Sequence, residues 1–123
     1  MSEKQNIKFY IRDDGIIVFQ FLAMHRQAAD DFGRIIKASM KNVPDKLRVL
    51  YDFSQSPPPT RYFLQIQGEL YDSFPHPEDE RTAYVTGTSN NEVWVRIART
   101  YFTAKDTMRV FVKEDEAIAW LLG

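Results

Sequence analysis

Ser54, Ser56 and Thr60 place three hydroxyl groups in the stretch "YDFSQSPPPTRYF", with Pro57, Pro58 and Pro59 between them and Arg61 directly after. Hydroxyls in such a segment can accept a phosphoryl group, cap a helix, or join a guanidinium in holding an anion. Ser56 also precedes a proline. A second polar start, "SNNE" at Ser89 to Glu92, has the capping-box spacing, in which Ser and Glu each satisfy a free amide at a helix N-terminus. If both segments follow strands at one end of a sheet, their free amides favour an anion by about 0.3–1 kcal/mol each, and Arg61 adds a bidentate clamp. The expected site is therefore a small anionic group, on a metabolite or on a partner protein, between Thr60, Arg61 and Ser89, with Ser54 and Ser56 in the same loop. A plainer reading makes Thr60 and Ser89 simple N-caps, worth ~1 kcal/mol each, and the prolines a stiff connector.

Other chemistry finds little support. His25 and His76 are far apart and neither sits in a ligand-spaced cluster, so both are expected at the surface, His76 in the solvated loop "FPHPEDE", and no metal site is expected. There is no Gly-x-Ser-x-Gly elbow and no glycine-rich phosphate loop. Neither catalytic residues nor a cofactor is expected, and Asp13 and Asp14 read as turn residues.

The elements that would position these residues follow from periodicity. "IKFYI" (7–11) and "IIVFQFL" (16–22) flank Arg12, Asp13, Asp14 and Gly15, and Asp-Gly supplies the positive φ of a hairpin turn. Met24, Ala28, Phe32, Ile35, Ile36 and Met40 recur at helical spacing, predicting an amphipathic helix of about four turns. "LRVLYDF" (47–53) is a short apolar run bounded by turn residues, hence a buried strand. A second helix follows the proline loop with Phe63, Ile66, Leu70 and Phe74 inward, and ends before Pro75. "RTAYVT" (81–86) is the next strand, Ser89 opens a helix carrying Val93, Ile97 and Tyr101, "MRVFV" (108–112) is the last strand, and Asp115 to Leu122 a short closing helix. The aromatics on the second and third helices read as core, or, where they project outward, as a protein interface or the lining of an apolar cavity.

The order β-β-α-β-α-β-α-β-α predicts an α/β domain with a five-stranded, mostly parallel sheet, an antiparallel N-terminal hairpin and four helices. A length of 123 residues with 44% hydrophobic content fits one domain, 1–123, that buries about two thirds of its unfolded surface. Sixteen basic against 17 acidic residues leave a net charge of -1, which argues against a nucleic-acid binder. The absence of cysteine, of an apolar leader and of a run long enough to span a membrane makes a cytoplasmic protein the expectation.

That order, with "DGIIVFQF", "LRVLYDFS", "RTAYVTG" and "MRVFVKEDEAIAWLLG", resembles the SpoIIAA-like branch of the STAS superfamily, named for sulfate transporters and anti-sigma-factor antagonists. The resemblance implies a non-catalytic regulatory or binding module, some of whose relatives are switched by phosphorylation. In those relatives the third strand ends in an Asp and a hydroxyl residue, matched here by Asp52 and Ser54, and an Asp-Ser-Ser-Gly motif opens the next helix. Thr60, Arg61, Tyr62 and Phe63 occupy that motif, so the phosphoacceptor position falls on Arg61, which cannot take a phosphoryl group as serine does. Ser54, Ser56 and Thr60 remain the candidate acceptors. The leading expectation is a module that binds a protein partner through the loop and helix at 54–71. A carrier or sensor of a small anionic or lipid-like ligand is second, an uncharacterised enzyme third. An exposed aromatic helix would also suit a homodimer.

Overall fold

A computed structural model describes residues 5–87, 96, 97, 100 and 106–123. Five strands, β1 (Ile7–Ile11), β2 (Ile17–Phe21), β3 (Lys46–Asp52), β4 (Asp79–Val85) and β5 (Met108–Phe111), form one sheet in sequence order. The β1/β2 pair is antiparallel and every later pairing is parallel, as the element order predicts. The hairpin turns at Gly15, whose φ of 90° is the left-handed geometry expected of the Asp-Gly pair.

Helices α1 (Arg26–Ser39) and α2 (Arg61–Tyr71) cover one face of the sheet, and α3 (Glu114–Leu122) covers part of the other. The two faces follow from the two-residue alternation of strands. Val49 and Tyr51 point to α1 and α2, while Arg48, Leu50 and Asp52 point to the opposite side. The helix expected to start at Ser89 lies largely outside the described residues; Ile97, from its predicted inner row, is buried in the α1/α2 core.

Strand register builds the principal core. Phe9, Phe19, Tyr51 and Tyr84 are direct cross-strand neighbours, and their rings follow one another at 5.0, 5.3 and 5.2 Å. Phe21 and Phe53 stack at 4.6 Å in the next row, and Phe32 of α1 and Phe63 of α2 meet Phe21 edge-on or tilted. Offset and edge-to-face aromatic pairs add about 0.5–1.5 kcal/mol beyond the area they bury, so this ladder locks register as well as excluding water.

Arginines secure the far face. Arg48 is buried and donates from Nε to the carbonyl of Leu121 (2.7 Å) and from Nη2 to Asp79 (2.7 Å). Arg81 donates to the carbonyls of Trp120 (2.5 Å) and Gly123 (3.0 Å). Carbonyls in the last turn of a helix have no partner of their own, and two sheet arginines meet that need for α3. Its first turn carries Glu114, Asp115 and Glu116, the sign the N-terminal dipole favours.

Candidate functional site

The loop after β3 and the start of the loop after β4 meet at the carboxyl end of the sheet. The Phe53 amide donates to the Val85 carbonyl (2.8 Å), which carries the β3/β4 pairing one residue further. Gly87, with φ of 74°, then lies directly against Ser54. These are the two loops expected to converge, and Gly87 allows the close approach because it has no side chain to interpose.

Asp52 ends β3 buried, pointing to the α3 side. Its Oδ1 accepts from the Ser54 amide (2.9 Å) and its Oδ2 from Gln20 Nε2 (3.3 Å). This side-chain turn directs the chain out of the sheet and leaves Ser54 exposed. Ser56 donates from its hydroxyl to the Pro57 carbonyl (3.0 Å). Thr60 is the N-cap of α2, its Oγ1 accepting from the Phe63 amide (3.1 Å). The plainer reading of Thr60 therefore holds, and the hydroxyl that caps the helix is at the surface.

Arg61, the first residue of α2, is also exposed. Unlike Arg12, Arg34, Arg48 and Arg81, it takes part in no hydrogen bond or ion pair among the described residues. The helix start itself is fixed from the other side: the Tyr62 hydroxyl donates to Asp30 (2.5 Å), and the Arg26 guanidinium lies 4.3 Å from the Tyr62 ring centre. Bonding to Asp30 holds the Tyr62 phenol above its usual pKa. Ser54, Thr60 and Arg61 thus stand on rigid supports at the strand-end surface; Ser89 lies outside the described residues.

His25 is exposed, as expected of it, whereas His76 is not. His25 is the N-cap of α1, its Nδ1 accepting from the Ala28 amide (3.2 Å). His76 is half-buried instead of solvated: Nδ1 lies 2.7 Å from Glu80 Oε1, Nε2 lies 2.5 Å from the Tyr71 carbonyl oxygen, and the ring stacks 3.8 Å from that of Tyr71. No group of three or more metal-binding side chains occurs among the described residues.

No family model matches the chain, and no curated protein matches it in sequence. Solved structures match it over its full length. An anti-sigma factor antagonist from Mycobacterium paratuberculosis superposes with a TM-score of 0.68 at 18% identity, covering 100% of both chains. The chain has the SpoIIAA-like fold. A Shewanella loihica protein described as uncharacterised and SpoIIAA-like also superposes with a TM-score of 0.68, at 16% identity and 98% coverage of each chain. Asp52 ends the third strand, Ser54 lies two residues beyond it, and Arg61 opens the following helix. No helix among the described residues is long and apolar enough to cross a membrane.

Proposed function

We propose that the chain is a non-catalytic regulatory module that binds a protein partner through the loop and helix from Ser54 to Tyr71. The observation that carries this reading is Arg61: an exposed, unengaged guanidinium at a helix N-terminus whose other contacts are fully fixed. A cation held there on a rigid base recognises an acidic side chain, because free helix amides and the guanidinium act on the anion together. Likeness in fold to an anti-sigma factor antagonist supports a protein as the partner class. Ser54, Ser56 and Thr60 flank the same surface; phosphorylating any of them would place a competing anion beside Arg61 and weaken docking of an acidic partner.

A photo-crosslinking residue at exposed position 65, one turn along α2 from an intact Arg61, with Lys41 as a remote exposed control, tests the reading in lysate of the native host. The expected result is one stoichiometric protein adduct from position 65, absent from position 41 and lost from the position-65 probe when unlabelled wild-type protein competes but not when unlabelled Arg61→Glu does. Equal adducts from both positions, or competition by Arg61→Glu as strong as by wild type, would overturn it.

A further inference from the structure

At the opposite end of α2 the core contains a polar pocket. A void of ≈ 20 Å³ lies between the C-terminal halves of α1 and α2 and the sheet, with Tyr51, Glu80, Thr82, Gln67 and Tyr84 among its walls. Tyr51 and Glu80 are 5% and 6% exposed, so both polar groups are inside the protein. Gln67 donates to the Tyr84 hydroxyl (2.6 Å), and Glu80 is held by His76. Among the described residues the Tyr51 hydroxyl makes no hydrogen bond. Burial and the nearby Glu80 charge push its pKa well above the usual phenol value, so it stays a donor. No fully buried side-chain polar atom among the described residues lacks a partner, so this hydroxyl is open to the void, where an entering acceptor can bind it.

Next to this void is a larger surface pocket of ≈ 210 Å³, lined by Ile36, Met40, Leu70 and Phe74 with Lys37 and Ser73 also among its walls. Ile36, Met40 and Phe74 belong to both. These three residues border both spaces, and methionine is the most adaptable residue for such a wall. An apolar cavity of about 150 Å³ already accepts benzene, so the outer space takes a single substituted ring or a short chain.

We infer that the two spaces form one binding site for a small neutral molecule joining an apolar ring or short chain to a single hydroxyl. The apolar part lies between Ile36, Met40, Leu70 and Phe74, and the hydroxyl reaches inward, accepting from Tyr51 and donating to Glu80. A carboxylate or phosphate is disfavoured by like charge beside Glu80, which separates this site from the anion-favouring Arg61 surface. The inference stands independently of partner binding, since it uses the other end of α2.

The experiment titrates p-cresol and toluene into the full chain and follows methyl resonances of Ile36, Met40 and Leu70 by NMR. Saturable shifts are expected for both, with p-cresol bound roughly tenfold more tightly because one buried hydrogen bond is made only by the hydroxyl. Tyr51→Phe should bring p-cresol down to the toluene affinity and leave toluene unchanged. No saturable shift, equal affinity of the two probes for the native protein, or an undiminished p-cresol preference in Tyr51→Phe overturns the site. Should that variant fail to fold, the ratio of the two affinities on the native protein decides.

Discussion

A β-carbon built on Gly87 would lie 2.6 Å from the Cβ of Ser54 and 2.9 Å from its Cα. The second contact is with backbone, which cannot rotate away, and Gly87 also has a positive φ. Gly87→Ala must therefore bear both strain in the left-handed region, about 1–2 kcal/mol, and displacement of the Ser54 loop. The expected loss in urea unfolding is about 2–4 kcal/mol. Gly15 is the internal control: its φ is also positive but nothing lies within 4 Å of an added Cβ, so Gly15→Ala should lose only the strain, about 1–2 kcal/mol. Equal losses at the two positions would mean that the Ser54 contact carries no weight.

Thr60 and Arg61 are adjacent in sequence but should separate cleanly in stability. Thr60 accepts from the Phe63 amide and is the N-cap of α2, so Thr60→Ala should lower the unfolding free energy by ~1 kcal/mol. Arg61 is exposed and contributes no hydrogen bond or ion pair, so Arg61→Ala should stay within about 0.5 kcal/mol of wild type. Denaturant curves on the two variants check this. An Arg61 loss as large as the Thr60 loss would make Arg61 structural and remove the main support for a contact surface there.

Arg48 links β3, β4 and the end of α3 through its bonds to Leu121 and Asp79. Arg48→Met keeps an apolar stem but leaves the Leu121 carbonyl without its charged donor. Asp79 is largely exposed and regains water, so the cost is set mainly by the buried hydrogen bonds to a charged group, about 2–3 kcal/mol. Hydrogen exchange should show the loss first as opening of α3, whose last-turn carbonyls Arg48 and Arg81 bind. Uniform loss across the sheet with α3 unchanged would contradict that assignment.

Local signals in the sequence were sufficient for the hairpin, α1, β3 and the Thr60 cap, because each depends on neighbours a few residues away. Asp14-Gly15 marks the turn, and Ala28, Phe32 and Ile36 mark the buried side of α1. The aromatic ladder was not legible: Phe19, Tyr51 and Tyr84 meet only because two parallel pairings set their register, and a one-residue slip would reverse every side chain. His25 was missed because histidine is not among the favoured N-caps. The His76–Glu80 contact was missed because "FPHPEDE" has no helical period that would place those two together. The hydroxyls and prolines of residues 54–60 single out the Arg61 loop as a candidate, whereas no local signal marks the Tyr51 pocket, which draws its walls from both helices and three strands.

Acid should destabilise the fold through aspartates whose native pKa is depressed. Asp31 is lowered chiefly by hydrogen bonds from Asn6 (2.9 Å) and Gln27 (2.8 Å), with Arg34 adding to them; Asp14 is lowered by Arg12, and Asp79 by Arg48. A depressed native pKa means that the unfolded chain takes up protons first as pH falls. The stabilisation is thus complete above the unfolded value of about 3.9 and is lost as pH drops below it toward the native values. All three groups are near solvent, so each contribution is small and screened by salt. Urea midpoints measured from about pH 5 down to about pH 3 should decline, with a shallower decline in Asp31→Asn, which cannot titrate at that position. An identical slope in the variant would show that the Asn6 and Gln27 bonds do not favour the charged form of Asp31.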